Sequence, residues 1–484
     1  MKLAKIFQNN MILQRRSPIR IWGRSEDTQT IEVRINGLTV ARQTIKPGKF
    51  SFFITPQEAA DNVLLEIGDY VLRNVDIGEV WLAGGQSNME FALANDQDGE
   101  DTIQKADDPH FRMYTVARYS YEGEKQNCRK PEDSWDRWIS FQGESCRRFS
   151  AVAVFFALEL RKMEVPVGII SCNWGGTSAA AWLDPVYLEK DQLAVYLKEY
   201  EEKLKGLDIE SYMEKNRLIR RGRGTLESKK LEKAYPAIRR EAFVMGPCHE
   251  NRPGGLYETM VKKIAGYTAK GIIWYQGESD DQRHELYADL FRSVIDCWRR
   301  DWQEELPFLF VQLAPFGSWE GLCGKYFPMI RKQQEKVCCS CPNTYMISAG
   351  DAGDEWDIHP PGKRPIGYRL GIMARNKIYG ETHILCEAPK LAGVRREKGR
   401  ILLRFSGGEG LHIAGSHLHA LEITDNRGKR AVCTASVSDG RLILESGMFA
   451  GDRHFRIAFA QTGYYHVNLL NAQHIPALPF DITV

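Results

Sequence analysis

Both ends of the chain contain short runs in which apolar and polar positions alternate. Such alternation, interrupted by Gly, Pro and Asn, predicts β-strands joined by turns. The runs before residue 76 are IRIWGRS, TIEVRING, LTVARQTI, GKFSFFIT and NVLLEIGDYVLRNV. Those after residue 387 are KGRILLRFSG, HALEITDNRG, RLILES, RHFRIAFA and YYHVNLLN. We therefore predict accessory β-sandwich-like segments at 1–75 and 388–484, and the pattern leaves open whether the two segments pair.

Between these segments, apolar runs alternate with stretches of helical spacing. The series starts with GEVWLAGG and SNMEFALAND and continues through VAVFFALELRKM, VPVGIISCNWGG and GIIWYQGES. It closes with LPFLFVQLAPF, MIRKQQEKVC and TYMISAGD. Buried strands separated by helices predict a parallel sheet flanked by helices, so we assign residues 76–387 to an α/β domain. Residues 186–242, rich in Lys, Arg and Glu, predict a charged helical insertion of undetermined role.

The charge balance narrows the classes of partner. The 65 Lys and Arg residues against 63 Asp and Glu residues give a formal net charge of +2. A chain without a basic surplus lacks the electrostatic signature of nucleic-acid binding, so we expect no nucleic-acid partner. No stretch approaches about 18 consecutive apolar residues, so we expect no membrane-spanning helix. The local basic run RLIRRGRG favours a solvated helical face over a polyanion site.

The cysteines and the first residues bear on the compartment. The opening MKLAKIFQNNMILQRR lacks the apolar run of a secretory signal. The 11 cysteines are scattered, and the group Cys338, Cys339 and Cys341 has no second pair at zinc-site spacing. We therefore expect reduced thiols, no metal and a cytoplasmic protein. The sequence allows a homodimer without determining the oligomeric state.

The strongest candidate for chemistry is the serine of EVWLAGGQSNME. Ser87 lies where a predicted strand meets a predicted helix, at the sheet edge where open α/β folds bind ligands. Its own N–H would lie at a helix N-terminus, where donors lack partners. An N-cap serine is the structural alternative, and the preceding Gly84 and Gly85 favour the functional interpretation.

Two further strands end in polar or glycine-rich turns. IISCNWGGTS places Trp174, Gly175 and Gly176 after a strand, where glycines let a backbone N–H approach a ligand. GIIWYQGESDD places Gln276 after another strand, where its side chain either donates to a substrate or holds the loop. In the loop DEWDIHPP, His359 is the histidine best placed to act as a base, because the other histidines do not follow strands of the α/β region.

Together these four segments resemble the SGNH/GDSL hydrolase superfamily, and most closely its sialate O-acetylesterase family. FQNNMILQRRSPIRIWG is similar to the opening β segment of that family, and LNAQHIPALPF to its closing segment. NRPGGLYETM and KGIIWYQGESD are similar to its central stretch. The resemblance spans nearly the whole chain apart from 186–242. It implies an SGNH-hydrolase-like sheet and a carboxylic ester hydrolase that needs no cofactor.

The resemblance also implies roles for individual residues. Ser87 matches the nucleophile, and His359 matches the general base that activates it. Gly176 or Gly175 matches a backbone donor of the oxyanion hole, and Gln276 occupies the position of an oxyanion-hole side chain.

The acid of the triad is not determined by the resemblance. The superfamily often places an aspartate three residues before the histidine, where this chain has Trp356. We favour Asp357, and the alternatives are Asp354, Glu278 or a Ser–His dyad helped by a backbone carbonyl.

The implied substrate is a small O-acetylated sugar, most closely a sialic acid, cleaved through an acetyl-enzyme intermediate. Its carboxylate would need a cation, for which Arg252 in NRPGG is the candidate. Arg252 could equally hold its own loop. Trp174 and Trp274 could form aromatic walls or belong to the core. The alternatives are an esterase for acetylxylan or another carbohydrate, and a non-catalytic carbohydrate-binding protein on the same scaffold.

Overall fold

The computed structural model describes residues 1–122, 135–221, 244–319, 321–451 and 453–484. The strands in these ranges are β1 Lys2–Leu3, β2 Ile12–Gln14, β3 Ile19–Ser25, β4 Gln29–Ile35, β5 Leu38–Ile45, β6 Gly48–Ile54, β7 Ala60–Ile67, β8 Tyr70–Gly85, β9 Asp107–Thr115, β10 Trp138–Gln142, β11 Val167–Asn173, β12 Gly271–Tyr275, β13 Phe308–Val311, β14 Ser318–Trp319, β15 Leu322–Cys323, β16 Thr344–Ile347, β17 Lys390–Glu397, β18 Arg400–Ser406, β19 His412–Ile413, β20 Leu421–Asp425, β21 Thr434–Ser438, β22 Arg441–Glu445, β23 Phe455–Phe459, β24 Leu469–Leu470 and β25 Phe480–Thr483. The α-helices are α1 Ser87–Glu90, α2 Gly99–Gln104, α3 Ala151–Arg161, α4 Ala194–Lys205, α5 Ile209–Arg221, α6 Lys262–Ile264, α7 Tyr287–Trp302, α8 Phe327–Ser340 and α9 Arg364–Lys377.

A parallel sheet forms the centre of the fold. Its strand order is β10-β9-β11-β8-β12-β13-β16, and only β10 runs antiparallel to its neighbour. Every residue of β11, β12 and β13 is buried. Continuous apolar strands of this kind are typical of parallel sheets covered on both faces. The predicted α/β class is therefore confirmed.

Helix pairs and large aromatic side chains cover this sheet. Trp81 of β8 packs edge-on against Phe156 of α3, and Trp274 of β12 packs edge-on against Trp298 of α7. Helix α3 packs closely against α9, because a Cβ at Gly367 would lie 2.6 Å from the carbonyl oxygen of Val152. The sheet and its helices thus form one continuous apolar core.

Strand β8 joins the opening β segment to the central sheet. Its first half pairs antiparallel with β7, and its second half pairs in parallel with β11 and β12. The strand runs without interruption across the boundary predicted at residues 75 and 76. The opening segment and the α/β region therefore share a strand, and the division of the chain into domains stays a prediction.

The strands of residues 390–484 pair with one another in three small sheets of orders β17-β18-β22-β21, β20-β23-β25 and β19-β24. They enclose a separate apolar core that includes Leu403, Leu442 and Ile457. This region contacts the α/β part through Arg331, whose guanidinium donates to the carbonyl oxygens of Thr462 and Gly463. The predicted C-terminal β segment thus has its own core and contacts the α/β region at a defined point.

Helices α4 and α5 lie in the charged segment predicted at 186–242, of which residues 222–242 fall outside the described ranges. Across the described ranges we find no helix with both the length and the apolar character needed to span a membrane.

Candidate active site

Ser87 follows the central strand of the sheet at its carboxyl end. Two glycines make this turn possible: a Cβ at Gly84 would lie 2.7 Å from the Trp274 ring, and one at Gly85 would lie 2.1 Å from the carbonyl oxygen of Tyr275. Gly85 also has a φ of 133°, which favours glycine. Ser87 is half-buried at the first position of α1.

Helix α1 is shorter than the sequence pattern predicted. It ends at Glu90, because Phe91 leaves the helical conformation with φ −46° and ψ 115°. A separate 3₁₀ turn at Leu93–Asn95 follows. A single turn has a weak dipole, so the donors at Ser87 matter more than the helix as a whole.

A glycine turn after β11 packs directly against the serine. A Cβ at Gly175 would lie 3.1 Å from the Ser87 Cβ. The Gly175 N–H donates to Glu90 Oε2 at 2.5 Å, and Arg118 donates to Glu90 Oε1 at 2.6 Å and to the carbonyl oxygen of Asn173 at 3.0 Å. This Arg118–Glu90 ion pair, which the sequence analysis did not identify, holds the turn beside the serine.

The structure distinguishes the two glycines proposed for the oxyanion hole. The N–H of Gly175 is already bonded to Glu90. Within the described ranges the N–H of Gly176 has no hydrogen-bond partner, and this exposed residue has a φ of 71°. The carbonyl oxygen of Gly176 accepts from Asn251 Nδ2 at 2.7 Å, which fixes the peptide. Gly176 is therefore the glycine with a free donor next to the serine.

Gln276 lies at the end of β12 and has an exposed fraction of 0%. Its Nε2 donates to the carbonyl oxygen of Thr177 at 3.1 Å and to Asp280 Oδ2 at 2.5 Å. Its Oε1 accepts from the Tyr287 hydroxyl at 3.0 Å. Both amide hydrogens are thus engaged, which favours the second role that the sequence left open: Gln276 holds the loop.

His359 lies in a loop that contacts the segment after the serine. Asn88, which follows Ser87, donates to the carbonyl oxygen of Ile358, which precedes His359, at 3.1 Å. The imidazole packs edge-on against Trp319 with the ring centroids 5.6 Å apart. The tertiary structure therefore brings the segments of Ser87 and His359 together, although they are 272 positions apart in the sequence.

Each of the three candidate acids makes a different set of contacts. Asp357 Oδ1 lies 3.9 Å from His359 Nδ1, beyond hydrogen-bond distance, and accepts from the His359 N–H at 2.7 Å. Asp354 accepts from the N–H groups of Trp356 and Asp357 and shapes the turn. Glu278 binds Asn88 instead of the histidine. Asp357 is thus the acid nearest the imidazole, and the identity of the triad acid stays a prediction.

A buried polar network lies directly behind these residues. Asn88 Nδ2 donates to Glu278 Oε1 at 2.6 Å, and Asn88 Oδ1 accepts from Lys363 Nζ at 2.6 Å. The Lys363 backbone N–H donates to Asp96 at 2.7 Å, and its ammonium lies 4.8 Å from the centroid of the Phe91 ring. Sequence analysis did not single out Asn88 or Lys363, although each is within four positions of a predicted catalytic residue.

Burial shifts the protonation equilibria in this network. It lowers the pKa of Lys363 to about 7, against opposing carboxylates of which Glu278 has the largest effect, and it raises the pKa of Glu278. Burial, followed by the nearby Lys363 cation, lowers the pKa of His359, against the smaller opposing effects of Asp357 and Glu90. A lowered pKa keeps the imidazole neutral near pH 7, as a general base requires.

The predicted substrate residues have other contacts. Arg252 pairs with Glu258 at 2.8 Å and donates to the carbonyl oxygen of Ser120 at 3.3 Å, which favours the loop-holding alternative. Trp174 is half-buried and packs against the main core. Trp274 is fully buried inside that core, so it forms no wall of a binding site.

The remaining reactive side chains are thiols and one group of possible metal ligands. The ten cysteines in the described ranges are free thiols. Asp61, Asp76 and His110 have the spacing of metal ligands, but Asp76 already accepts from Arg112 at 2.7 Å and from His110 at 2.8 Å. Along β8, Asp76 lies about 30 Å before Gly85, at roughly 3.3 Å per strand residue. These three side chains are therefore distant from the turn that contains Ser87.

Known proteins similar to this chain are carbohydrate esterases. A sequence model of the family described as carbohydrate esterase, sialic acid-specific acetylesterase, matches residues 246–372. The sialate O-acetylesterase of Mus musculus is 26% identical over 80% of this chain and 75% of that protein. The human sialate O-acetylesterase is 25% identical over 80% of this chain and 73% of that protein. The crystal structure of a carbohydrate acetylesterase from Xanthomonas citri is 27% identical, has a TM-score of 0.76 and covers 99% of both chains.

These similarities extend across the site described above. The family match includes Glu278, His359 and Lys363, and the Xanthomonas citri structure covers the segment of Ser87 as well. The SGNH-like sheet with accessory β segments is thus the architecture of a known carbohydrate acetylesterase. The predicted resemblance is confirmed: residues 246–372 match the family of sialic acid-specific acetylesterases, and sialate O-acetylesterases, which are carboxylic ester hydrolases, are similar to 80% of the chain.

Proposed function

We propose that this protein removes O-acetyl groups from a sialic acid, with Ser87 as the nucleophile and His359 as the general base. The observation that carries the proposal is the bond from Asn88 to the carbonyl oxygen of Ile358, because it ties the segments of these two residues together. The similarity to sialate O-acetylesterases supports the choice of substrate.

The reaction would proceed in two balanced steps. The Ser87 hydroxyl attacks the acetyl carbonyl while His359 accepts its proton, and the histidine then protonates the departing sugar oxygen. In the second step a water molecule gives a proton to His359 and attacks the acetyl-serine. The bond to the Ser87 oxygen then breaks, His359 returns the proton to that oxygen, and acetic acid leaves and ionises to acetate. The lowered pKa of His359 favours the neutral imidazole that each attack needs.

The oxyanion would be stabilised by backbone donors. The N–H groups of Ser87 and Gly176 have no hydrogen-bond partners within the described ranges. Gly175, which precedes Gly176 in the chain, packs against Ser87. One donor of this kind typically contributes about 3–4 kcal/mol to transition-state stabilisation.

The test is Ser87→Ala, measured by acetate release from an O-acetylated sialic acid and from 4-nitrophenyl acetate. We expect a loss of at least about 1,000-fold in kcat/KM with an unchanged circular dichroism spectrum. Ser293→Ala is a matched control, because that half-buried serine lies on helix α7 and its hydroxyl donates to the carbonyl oxygen of Asp289 in the same helix. Full activity in Ser87→Ala would refute the proposed nucleophile. If the unmodified protein cleaved acetylated xylo-oligosaccharides in preference to O-acetylated sialic acid, the proposed substrate would be wrong.

A further inference from the structure

A cleft of about 320 Å³ opens beside the candidate oxyanion glycine. It begins at Gly176 and runs between helix α4 and the segment that contains Asp280 and Arg283. The adjacent residue, Gly175, packs against Ser87. The volume of the cleft lies at the lower end of the range for small-molecule sites, which suits one sugar ring. An ester held at the serine would extend its sugar toward this cleft.

Helix α4 of the charged insertion lines one side of the cleft. Tyr196 and Tyr200, one turn apart, both line it and combine an apolar ring with a polar hydroxyl. The Tyr196 hydroxyl is buried and has no hydrogen-bond partner among the described residues. A buried polar group without a partner needs an explanation, and a site whose ligand is absent supplies one.

The charged groups of the cleft are mostly paired. Arg283 pairs with Glu199 and lies 5.1 Å from the centroid of the Tyr196 ring. The carboxylate of Asp280, buried at the base, accepts from Ser178, Ala179 and Gln276.

Lys203 differs from the other charged groups of the cleft. Lys203 is exposed, lines the same cleft and makes no ion pair within the described part of the chain. Arg252, the cation expected from the sequence to bind a carboxylate, is instead paired with Glu258. Lys203 is therefore available to an anionic ligand, whereas Arg252 and Arg283 are already paired.

We propose that this cleft binds the sugar ring that carries the ester, and that Lys203 pairs with the carboxylate of an acidic sugar. The inference rests on the proposed function, because it places the sugar relative to Ser87. It assigns a role to the charged insertion: α4 would supply the discrimination between acidic and neutral acetylated sugars. An ammonium group suits this role, since it acts as a point charge that adapts to the position of the carboxylate.

The experiment compares Lys203→Gln with Lys198→Gln, an exposed lysine on the same helix that does not line the cleft. Each variant is assayed with O-acetylated N-acetylneuraminic acid, with the methyl ester of that sugar and with 4-nitrophenyl acetate. An exposed ion pair contributes modestly, so we expect KM for the acidic sugar to rise about three- to fivefold in Lys203→Gln alone. The methyl ester and 4-nitrophenyl acetate should react as with the unmodified protein.

An equal rise in KM for the acid and its methyl ester would overturn the assignment of Lys203, as would no change for either. A comparable effect of Lys198→Gln would also overturn it, because the effect would then come from the general charge of the helix. Failure of the proposed function would be seen separately, as activity that survives in Ser87→Ala. The two proposals can therefore fail independently.

Discussion

The replacement Asn88→Ala tests whether the buried network positions Ser87 and His359, the proposed nucleophile and base. Asn88 links three segments: its side chain donates to Glu278 and to the carbonyl oxygen of Ile358, and it accepts from Lys363. Alanine removes all of these bonds and leaves a buried carboxylate and a buried ammonium without their partner. The segments of Ser87 and His359 would then lose the bond that joins them.

The contacts set the size of the expected effect. Each hydrogen bond to the charged groups of Glu278 and Lys363 contributes about 1.5 kcal/mol, and the bond to Ile358 contributes about 1 kcal/mol. We therefore expect the free energy of unfolding to fall by about 4 kcal/mol, within the range for breaking a buried polar network. A displacement of about 1 Å between nucleophile and base would lower kcat/KM by roughly 100-fold.

The assay combines urea denaturation with 4-nitrophenyl acetate hydrolysis at a temperature where the variant is folded. Asn471→Ala is the matched control. Asn471 is fully buried in the C-terminal region, and its side chain makes four hydrogen bonds to backbone groups. None of these backbone groups belongs to the segments of Ser87 or His359. We expect Asn471→Ala to lose similar stability while it retains kcat/KM. An Asn88→Ala variant that loses stability but keeps its kcat/KM would refute the positioning role.

Two further predictions concern charge and packing at the same site. In Lys363→Met, loss of the cation should raise the pKa of His359, so the acid limb of the kcat/KM profile should move to higher pH. In the unmodified protein, the free energy of unfolding should rise between about pH 7 and 10.5, because Lys363 keeps its proton in the unfolded chain but loses it in the folded protein. The Lys363→Met variant should lack this rise. If the variant kept the pH profiles of the unmodified protein for kcat/KM and for stability, both predictions would be contradicted. Gly175→Ala places a Cβ 3.1 Å from the Ser87 Cβ and should lower kcat by about 10-fold. Gly206→Ala, where a Cβ meets no atom within 4 Å, should leave kcat unchanged, and equal kinetics for both would contradict the packing argument.

Local sequence pattern was sufficient for the strands and for the turns that follow them. Ser87, Gly176 and Gln276 follow β8, β11 and β12, which are adjacent in the sheet. Apolar runs that end in glycine or polar residues mark the carboxyl ends of parallel strands. Since those ends share one edge, the pattern predicts that these turns lie near one another.

The roles of individual side chains were decided by contacts that no local pattern reveals. Gln276 could face a substrate or hold its loop, and its bonds to Thr177 and Asp280 favour the second role. Arg252 could bind a carboxylate, but Glu258, six residues further along the chain, pairs with it. Residue type fixes what a group can bind, whereas its neighbours fix what it does bind.

The sequence by itself determined the α/β class, the serine turn and the histidine loop, because periodicity and turn residues are local properties. Only the tertiary structure connected Asn88 to Glu278 and to Lys363, which lie 190 and 275 positions away. It also placed α4 of the insertion beside Gly176. Pairings of this kind depend on how strands and helices pack around the sheet. Buried polar groups must find partners wherever that packing brings them, at any distance along the chain.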